Sequence, residues 1–384
     1  MEKDHSKGRS VRVDMVHLQL TTRCNLDCWF CGQRKWRTAD GVCRKDGMRR
    51  EMTEEQWLRV ADDIIRTGAM QHHMPSVMIW GGEAELSDSF PAVLQHLHDH
   101  GVLVGMVTNG TLMDRYASLI DRCVDKLYLS VDGTPEIHDC IRGKGTFGKI
   151  RDNLTLLRSG KIQRVIMTVI TDEVAEHLDE VLDSYCSLRP NLIIFQDMIG
   201  LSKEEVVRYQ EWSREVFNQD APMIGSWAEA RQEQVNRRRR AVKVVSFLAK
   251  KACRNDRSER YPFEIQYLPH RSTLSCFLPH EIEALYRING VDNVALPAAE
   301  SHACGNHVNL VCTSAWHHLH VGWNGEVSFC TDFTDISMGN IMESTLLQIM
   351  NGEKAERFRK EIESGNCVCC RHCSWCYKKD YTRL

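Results

Sequence analysis

The sequence predicts an α/β protein, in which a partial (β/α)6 TIM-like barrel over residues 1–217 precedes a linker or insertion at 218–300 and a small cysteine-rich α+β domain with a β-hairpin at 301–384. Three observations predict this fold class. Short apolar runs alternate with longer amphipathic ones, six such units follow one another, and cysteines concentrate towards the end of the chain. Such units favour parallel strands with right-handed crossovers, whose active site lies at the carboxyl ends of the strands.

Six apolar runs are the predicted strands: Val13–Leu20, Val77–Trp80, Leu103–Thr108, Lys126–Ser130, Arg164–Val169 and Leu192–Phe195. Stretches with helical periodicity lie between them. The first begins at Thr53, because Thr53 and Gln56 have the spacing of a capping box. The others are near Phe90–His100, Leu112–Arg122, Phe147–Arg158, Asp172–Tyr185 and Lys203–Phe217.

The rest of the chain has a different character. Val235–Lys251 is predicted to be a basic amphipathic helix, in which Arg237–Arg240 form either a solvated face or a site for a phosphate or acidic group. His318–Cys330 is predicted to be a hairpin turned at Asn324-Gly325. A helical stretch near Ser344–Ile362 follows it.

Composition restricts the function classes. The net charge of -3 provides no general attraction for nucleic acid or an anionic membrane. No apolar run approaches the ~20 residues of a membrane span, and the polar N-terminus lacks a secretory signal. We therefore expect a cytoplasmic protein with neither nucleic-acid nor membrane partners. In that reducing compartment, clusters among the 17 cysteines more often bind metal or perform chemistry than form disulfides.

The loop after the first predicted strand, TTRCNLDCWFCGQRKW, places Cys24, Cys28 and Cys31 within eight residues. Structural zinc sites are closed tetrahedra, and this loop shows no fourth ligand. Iron–sulfur clusters are normally held by four thiolates, so three leave one iron open to an exogenous ligand. This spacing, with an aromatic residue before the third cysteine, resembles that of the radical S-adenosylmethionine (SAM) enzymes.

Three further stretches resemble this family in the same order, each at the end of a predicted strand: Ile79–Glu83 (IWGGE), Thr108–Thr111 (TNGT) and Ser130–Gly143 (SVDGTPEIHDCIRG). Singly, each is also compatible with an ordinary strand-end loop. The resemblance implies that the three cysteines hold a [4Fe–4S] cluster whose open iron chelates SAM. It also implies the SAM contacts, namely Phe30 at the adenine, Gly81, Gly82 and Glu83 at the amino group, and Ser130 and Arg142 at the ribose or carboxylate.

The mechanism follows from the same resemblance. One electron from the reduced cluster cleaves SAM to methionine and a 5′-deoxyadenosyl radical, which abstracts hydrogen from an unactivated C–H bond. The electron is expected to come from an external one-electron reductant of the flavodoxin or ferredoxin type.

The tail resembles the SPASM pattern for auxiliary iron–sulfur clusters and its shorter twitch variant. The matching residues are Cys312, Cys330, Cys367, Cys370 and Cys376. Asp380 stands where the pattern has a further cysteine. We expect one auxiliary [4Fe–4S] cluster. Two clusters remain open because Cys304, Cys369 and Cys373 could be recruited, and a structural zinc ribbon is the other alternative.

Three functions compete. The first is a radical SAM oxidoreductase or epimerase that acts on a small polar, sugar-like or aminocyclitol-like natural-product intermediate. The second is a maturase that cross-links or oxidises a peptide or protein. The third, a non-catalytic metal-binding protein, conflicts with the SAM-site motifs. The sequence favours the small molecule, because the 23 residues before Cys24 leave no room for a peptide-recognition domain of the usual size.

Two sets of residues have roles that depend on the reaction. Epimerisation needs a thiol outside the clusters as hydrogen donor, and Cys253 and Cys276 are the candidates. His318 and His320 share one face of a strand and are interpreted as structural, with roles as cluster ligand or proton acceptor left open.

We predict the iron content after anaerobic reconstitution. Each cubane cluster contributes roughly four irons, so the wild type should hold about eight per chain and a Cys24/Cys28/Cys31→Ala triple variant about four. Iron and acid-labile sulfide assays measure this. Roughly twelve and eight irons would indicate two auxiliary clusters, whereas tight zinc without iron in both proteins would contradict the iron–sulfur interpretation.

Overall fold

The structure is a computed structural model that describes residues 10–33, 51–222, 224, 228, 231–253, 261–270, 273, 277–289 and 312–367. Within these residues the strands are β1 (Met15–Gln19), β2 (Ser76–Trp80), β3 (Val104–Thr108), β4 (Lys126–Ser130), β5 (Gln163–Ile170), β6 (Leu192–Asp197), β7 (Glu264–Leu268), β8 (His318–Val321), β9 (Glu326–Ser328) and β10 (Gly339–Asn340). All ten described strands belong to one sheet, in the order β10-β9-β8-β1-β2-β3-β4-β5-β6-β7.

The helices of the same residues are α1 (Glu54–Gln71), α2 (Phe90–Asp99), α3 (Ala117–Cys123), α4 (Pro135–Arg142), α5 (Thr146–Leu154), α6 (Asp172–Glu176), α7 (Leu178–Tyr185), α8 (Lys203–Phe217), α9 (Arg231–Cys253), α10 (Pro279–Ile288), α11 (Ser314–His317), α12 (Leu346–Met350) and α13 (Glu353–Glu363). Short 3₁₀ turns lie at Ala84–Leu86, Met113–Tyr116 and Cys186–Leu188. Each helix in the described part of the chain is too short or too polar to cross a bilayer.

The predicted parallel α/β sheet is confirmed. Strands β1 to β6 lie at the six predicted positions, and each pairs in parallel with its neighbour in sequence. The predicted capping box at the start of α1 is also present, since Thr53 Oγ1 accepts from Gln56 N and Gln56 Oε1 accepts from Thr53 N. Local periodicity and capping chemistry therefore determine this half of the fold.

The sheet extends beyond the six predicted strands in both directions. Strand β7, in the segment predicted to be a linker or insertion, pairs in parallel with β6. Strand β8, the first strand of the predicted hairpin, pairs in parallel with β1, and β9 returns antiparallel to it. The hairpin thus continues the barrel sheet, and the domain boundaries at 217 and 300 stay a prediction.

The two faces of the sheet differ. On the outer face, alternate residues such as Val16, Leu18 and Ile79 are buried in the main hydrophobic core with the helices. On the inner face, Trp80, Tyr128 and Met167 are only partly buried, although their strands are central. Part of this face is packed, since Val165, Ile194 and Leu268 form a small buried cluster of their own. Because the interior of a closed TIM barrel is packed with side chains throughout, the partial exposure of the other residues indicates that the barrel interior is incompletely filled. We call the space bordered by the inner face the lumen.

The basic segment of α9 divides between two environments. Arg237 and Arg240 are buried, whereas Arg238 and Arg239 are exposed. The Arg240 guanidinium pairs with Asp172 at 3.4 Å and with Glu233. The predicted solvated face therefore consists only of the exposed pair, Arg238 and Arg239.

Replacement of Leu319 by Ala should lower the free energy of unfolding of the whole sheet. Leu319 lies in β8 and is fully buried in the main core, so its truncation should cost about 2–5 kcal/mol. The matched control is Leu103→Ala, because Leu103 is 52% exposed and its truncation should change stability by roughly 0.5 kcal/mol or less. Urea unfolding followed by far-ultraviolet circular dichroism measures both. If Leu319→Ala left the urea midpoint of barrel unfolding unchanged, the hairpin would fold independently of the barrel.

Candidate active site

The loops that follow β1 and β2 are joined through their backbones. The loop after β1 carries Cys24, Cys28 and Cys31. Gly82 N donates to Thr21 O at 2.8 Å, and Glu83 N donates to Arg23 O at 2.7 Å. These bonds fix the start of the cysteine loop against the end of β2, so the predicted SAM residues of β2 lie beside the predicted cluster residues.

The two glycines of the IWGGE stretch are required by this contact. A Cβ atom on Gly81 would lie 2.7 Å from Thr21 O, and one on Gly82 would lie 2.2 Å from Arg23 O. Real Cβ atoms do not approach so closely, because the atoms would overlap. The glycines therefore allow the approach of the cysteine loop, and their predicted contact with SAM remains a prediction.

The TNGT stretch after β3 secures the cysteine loop from another side. Asn109 Nδ2 donates to Asn25 Oδ1 at 3.0 Å and lies 4.0 Å from the Sγ atom of Cys24. Asn25 Nδ2 in turn donates to Thr111 Oγ1 at 2.8 Å. The TNGT stretch is recognisable in the sequence, but these positioning roles are not, because Asn25 lies between two cysteines and has no motif of its own.

Two buried carboxylates lie beside the loop. Glu83 is 1% exposed, and its Oε2 accepts from Asn109 N at 2.8 Å, while its Oε1 has no hydrogen-bond partner among the described residues. Glu85 is also buried, and Thr108 Oγ1 donates to it at 3.3 Å. Within the described part of the chain, neither carboxylate pairs with a basic side chain. A buried carboxylate in this state favours a cationic partner, and the ammonium group of SAM fits Glu83.

Glu85 is the residue of this pair that the sequence analysis did not select. Burial and, after it, the charge of Glu83 raise the pKa of Glu85 well above its ordinary value of 4.5. Neighbouring buried carboxylates do not both ionise readily, because their charges repel. Glu85 is therefore the member of the pair that favours the protonated form.

Arg142 reaches the cysteine loop from the other side. Its Nε donates to the fully buried Asp132 at 2.6 Å, and Asp132 Oδ1 accepts from Val169 N at 2.8 Å. The guanidinium carbon lies 5.8 Å from the centre of the Phe30 ring. Ser130, the last residue of β4, is partly exposed on the inner face. The structure thus brings Phe30 and Arg142 together and places Ser130 at the edge of the lumen, while the predicted contacts of all three residues with SAM remain predictions.

The loop that carries Asp132 depends on a buried tyrosine from α7. The Tyr185 hydroxyl accepts from Gly133 N at 2.8 Å and donates to Val131 O at 2.9 Å. Gly133 has a φ of +88°, a conformation that favours glycine. Tyr185 was not selected from the sequence, because its helix gives no sign of the loop that it contacts.

The cysteine loop suits an iron–sulfur cluster. Burial raises the pKa of the Cys28 thiol to about 11, against the opposing effect of the Arg142 charge. Bound iron is needed to convert such a thiol to a thiolate at neutral pH. Among the described residues, no three Cys, His, Asp or Glu side chains converge on one metal ion. A cubane requires no such convergence, because its thiolates bind separate irons.

Three of the five predicted auxiliary ligands lie in described parts of the chain. Cys312 precedes α11, Cys330 follows β9 and Cys367 follows α13, and all three adjoin the main hydrophobic core. Phe333 N donates to the Sγ atom of Cys330 at 3.4 Å, a contact that stabilises a thiolate.

Several other candidates lie outside the described residues. They are the remaining predicted ligands Cys370 and Cys376, the candidate hydrogen donor Cys276, and the side chain of Cys253 at the end of α9. Their roles stay predictions.

The family models agree with this geometry. The model of the radical SAM superfamily matches residues 18–185, which include the cysteine loop, Glu83 and Arg142. The chain therefore contains a radical SAM domain. The model of the SPASM iron–sulfur cluster-binding domain matches residues 312–374. A radical SAM domain implies a [4Fe–4S] cluster and SAM, and a SPASM domain implies auxiliary iron–sulfur clusters.

The curated relatives are distant. The chain is 22% identical over 207 residues to the tungsten-containing aldehyde ferredoxin oxidoreductase cofactor-modifying protein of Pyrococcus furiosus, covering 50% of this chain and 53% of that protein. It is 25% identical over 169 residues to the sporulation killing factor maturation protein SkfB of Bacillus subtilis, covering 43% and 38%. It is 22% identical over 283 residues to the PqqA peptide cyclase of Granulibacter bethesdensis, covering 70% and 67%. The chain thus spans about half of the first relative and less of the second.

Two solved structures share the fold. Streptococcus suis SuiB bound to its precursor peptide SuiA has a TM-score of 0.56 and 13% identity, with 95% of this chain and 71% of that chain covered. The enzyme anSMEcpe with bound AdoMet and Cp18Cys peptide has a TM-score of 0.56 and 18% identity, with 96% and 91% covered.

Gly82→Ala should prevent stable binding of the cluster at the cysteine loop. The added Cβ would meet Arg23 O at 2.2 Å, so the loop has to move, and we expect reconstituted protein to lose about four irons per chain. The matched control is Gly148→Ala in α5, where a Cβ meets nothing within 4 Å. Iron analysis and the absorption of the cluster measure the difference. Full iron in Gly82→Ala would show that the loop does not need this close approach.

Glu85→Gln should make the stability of the SAM-free protein less dependent on pH. Because folding raises the pKa of Glu85, wild-type stability is lost as pH rises from 4.5 towards the folded-state pKa. Glutamine cannot ionise, so the variant should have the higher melting temperature at about pH 8, and the gap should close as pH falls towards 4.5. The control is Glu343→Gln at an exposed site. Parallel pH profiles for wild type and Glu85→Gln would contradict the protonated state of Glu85.

Proposed function

We propose that this protein is a radical SAM maturase that modifies a peptide, by oxidation of a side chain or by cross-linking. The observation that carries the proposal is the open lumen beside the cysteine loop. Apart from Lys126 and Glu264 at the strand beginnings, the inner-face residues of β1 to β7 are uncharged. They include Trp80, Tyr128 and Met167. The same face also carries the amides of Gln19, Gln196 and Gln266. Such an uncharged lining, partly apolar and partly amide, suits a peptide, which offers both apolar side chains and backbone amides.

Two of the relatives support a peptide substrate. The name of SkfB describes the maturation of a killing factor and that of the PqqA peptide cyclase describes the cyclisation of a peptide, and the match to the cyclase extends over 70% of this chain. Both solved structures described above hold a bound peptide. These likenesses favour the maturase over the small-molecule enzyme that the sequence alone favoured.

The argument for a small molecule was the lack of a preceding peptide-recognition domain. This chain covers 91% of the anSMEcpe chain, which holds a peptide. A radical SAM chain of closely similar extent therefore accommodates a peptide, and the short segment before Cys24 does not weigh against one.

The residues of the site have separate tasks in the proposed reaction. When bound together, the cluster and SAM supply a 5′-deoxyadenosyl radical that abstracts hydrogen from a substrate C–H bond. Cys24, Cys28 and Cys31 would hold the cluster, and Glu83 would orient the ammonium group of SAM through Oε1. Arg142, held by Asp132, would place positive charge beside the anionic cluster. The lumen would exclude bulk water from the reacting bond.

Cys312, Cys330 and Cys367 would contribute to an auxiliary cluster near the β8–β9 hairpin. We also propose a cytoplasmic location and an external one-electron reductant of the flavodoxin or ferredoxin type. An oxidation or cross-link requires no hydrogen-donating thiol, so Cys253 and Cys276 would matter only in an epimerisation.

Mass spectrometry of product tests the proposal. Reconstituted enzyme, SAM and dithionite are incubated with synthetic peptides encoded by short reading frames adjacent to its gene, and in parallel with a small-molecule extract of the host. We expect one peptide to lose two hydrogens with wild-type enzyme and none to change with the Cys24/Cys28/Cys31→Ala variant.

If a sugar-like or aminocyclitol-like compound lost hydrogen and every peptide stayed unchanged, the protein would be a small-molecule enzyme and the proposal would be wrong.

A further inference from the structure

A wall of the lumen contains two unpaired polar groups side by side. Parallel pairing places His320 of β8 opposite His17 of β1, and Gln19 of β1 opposite Trp80 of β2. His320 and Trp80 therefore flank β1 on the inner face, and their ring centres are 5.3 Å apart. His320 is 3% exposed, and Trp80 is partly exposed.

Hydrogen bonds fix the tautomer of His320. Ser328 Oγ donates to Cys330 O at 3.0 Å, and His320 Nδ1 lies 3.1 Å from the same Oγ. A serine hydroxyl has one hydrogen. Because Ser328 uses it on Cys330, His320 Nδ1 must carry a proton and donate it to Ser328. In the neutral ring, Nε2 then has a lone pair and acts only as an acceptor.

The ring is neutral at physiological pH, because burial lowers the pKa of His320 to about 3. Its Nε2 has no hydrogen-bond partner among the described residues, and the same is true of Trp80 Nε1. The indole N–H can only donate. The wall thus presents one acceptor and one donor, both buried and uncharged, and leaving such groups unpaired costs free energy.

A peptide in the extended conformation matches this pair. In a β-ladder one residue uses its N–H and its C=O towards the same neighbour, because both groups point to one side. Neither group on the wall is charged, so the pair offers no counter-charge to a carboxylate, phosphate or ammonium ion.

We propose that His320 and Trp80 bind the backbone of one substrate residue in the lumen, with His320 Nε2 accepting its N–H and Trp80 Nε1 donating to its C=O. This inference rests on the proposed function, in which the substrate is a peptide. His320 and Trp80 are then substrate-binding residues. Because they contact the backbone, they hold the peptide beside the SAM site whatever its side chains are.

Two small peptide analogues test the contact without knowledge of the natural substrate. N-acetylglycine N′-methylamide presents the N–H and C=O of one residue, and in the matched N-acetylsarcosine N′-methylamide a methyl group replaces the hydrogen of that N–H. Their dissociation constants are measured by ligand-observed NMR on reconstituted, SAM-bound enzyme. Wild type should bind the glycine compound roughly 3- to 10-fold more tightly, as expected for one hydrogen bond.

Variants of His320 and Trp80 test which residue is responsible for the preference for the glycine compound. His320→Phe should abolish the preference for the glycine compound, whereas His320→Gln should keep it, because the amide oxygen of glutamine can replace Nε2 as acceptor. Trp80→Phe should weaken both compounds equally. Circular dichroism and iron content verify that each variant is folded.

Equal binding of the two compounds by wild type would overturn the inference, as would a preference that His320→Phe leaves unchanged or no measurable binding of either compound. Failure of the proposed function would be seen in a different experiment, the product assay, in which every peptide would keep its mass.

Discussion

The close approach of two backbones at the ends of β1 and β2 is the contact on which the site depends. Because Gly81 and Gly82 carry no Cβ, Thr21 O and Arg23 O can accept hydrogen bonds from the β2 loop. This contact sets the position of Cys24 relative to Glu83, and Asn109 then joins both by side chain and backbone. The cluster residues and the SAM residues are therefore two sides of one hydrogen-bonded unit.

Charge in the site is arranged around this unit. Glu83 has its orphaned oxygen on one side of the cysteine loop, and Arg142 approaches Phe30 on another. Arg142 already has a carboxylate partner in Asp132, whereas Glu83 has no basic partner in the described residues. A cationic ligand therefore gains most at Glu83.

The sequence was sufficient for the first six strands, because each is a local apolar run followed by a recognisable turn or cap. It was insufficient for β7, whose Glu264 and Gln266 face the lumen and interrupt the apolar pattern. It was also insufficient for the pairing of β8 with β1, since non-local pairing leaves no local signal. The cysteine motifs and Glu83 followed from family resemblance. Asn25, Glu85, Tyr185 and the contact between His320 and Trp80 required the fold, because their partners lie far away in the chain.

The pairing of β1 with β8 has a consequence for biosynthesis. Strand β1 leaves the ribosome before β2 to β7, and its partner β8 is made only after all of these strands. Until then β1 is an edge strand whose backbone groups can pair with another chain. Contacts of such long sequence separation form slowly, so the nascent protein passes through an aggregation-prone stage. We expect the yield of folded protein to depend on chaperones and on the rate of synthesis, and carboxyl-terminal truncation before β8 to leave that edge exposed permanently.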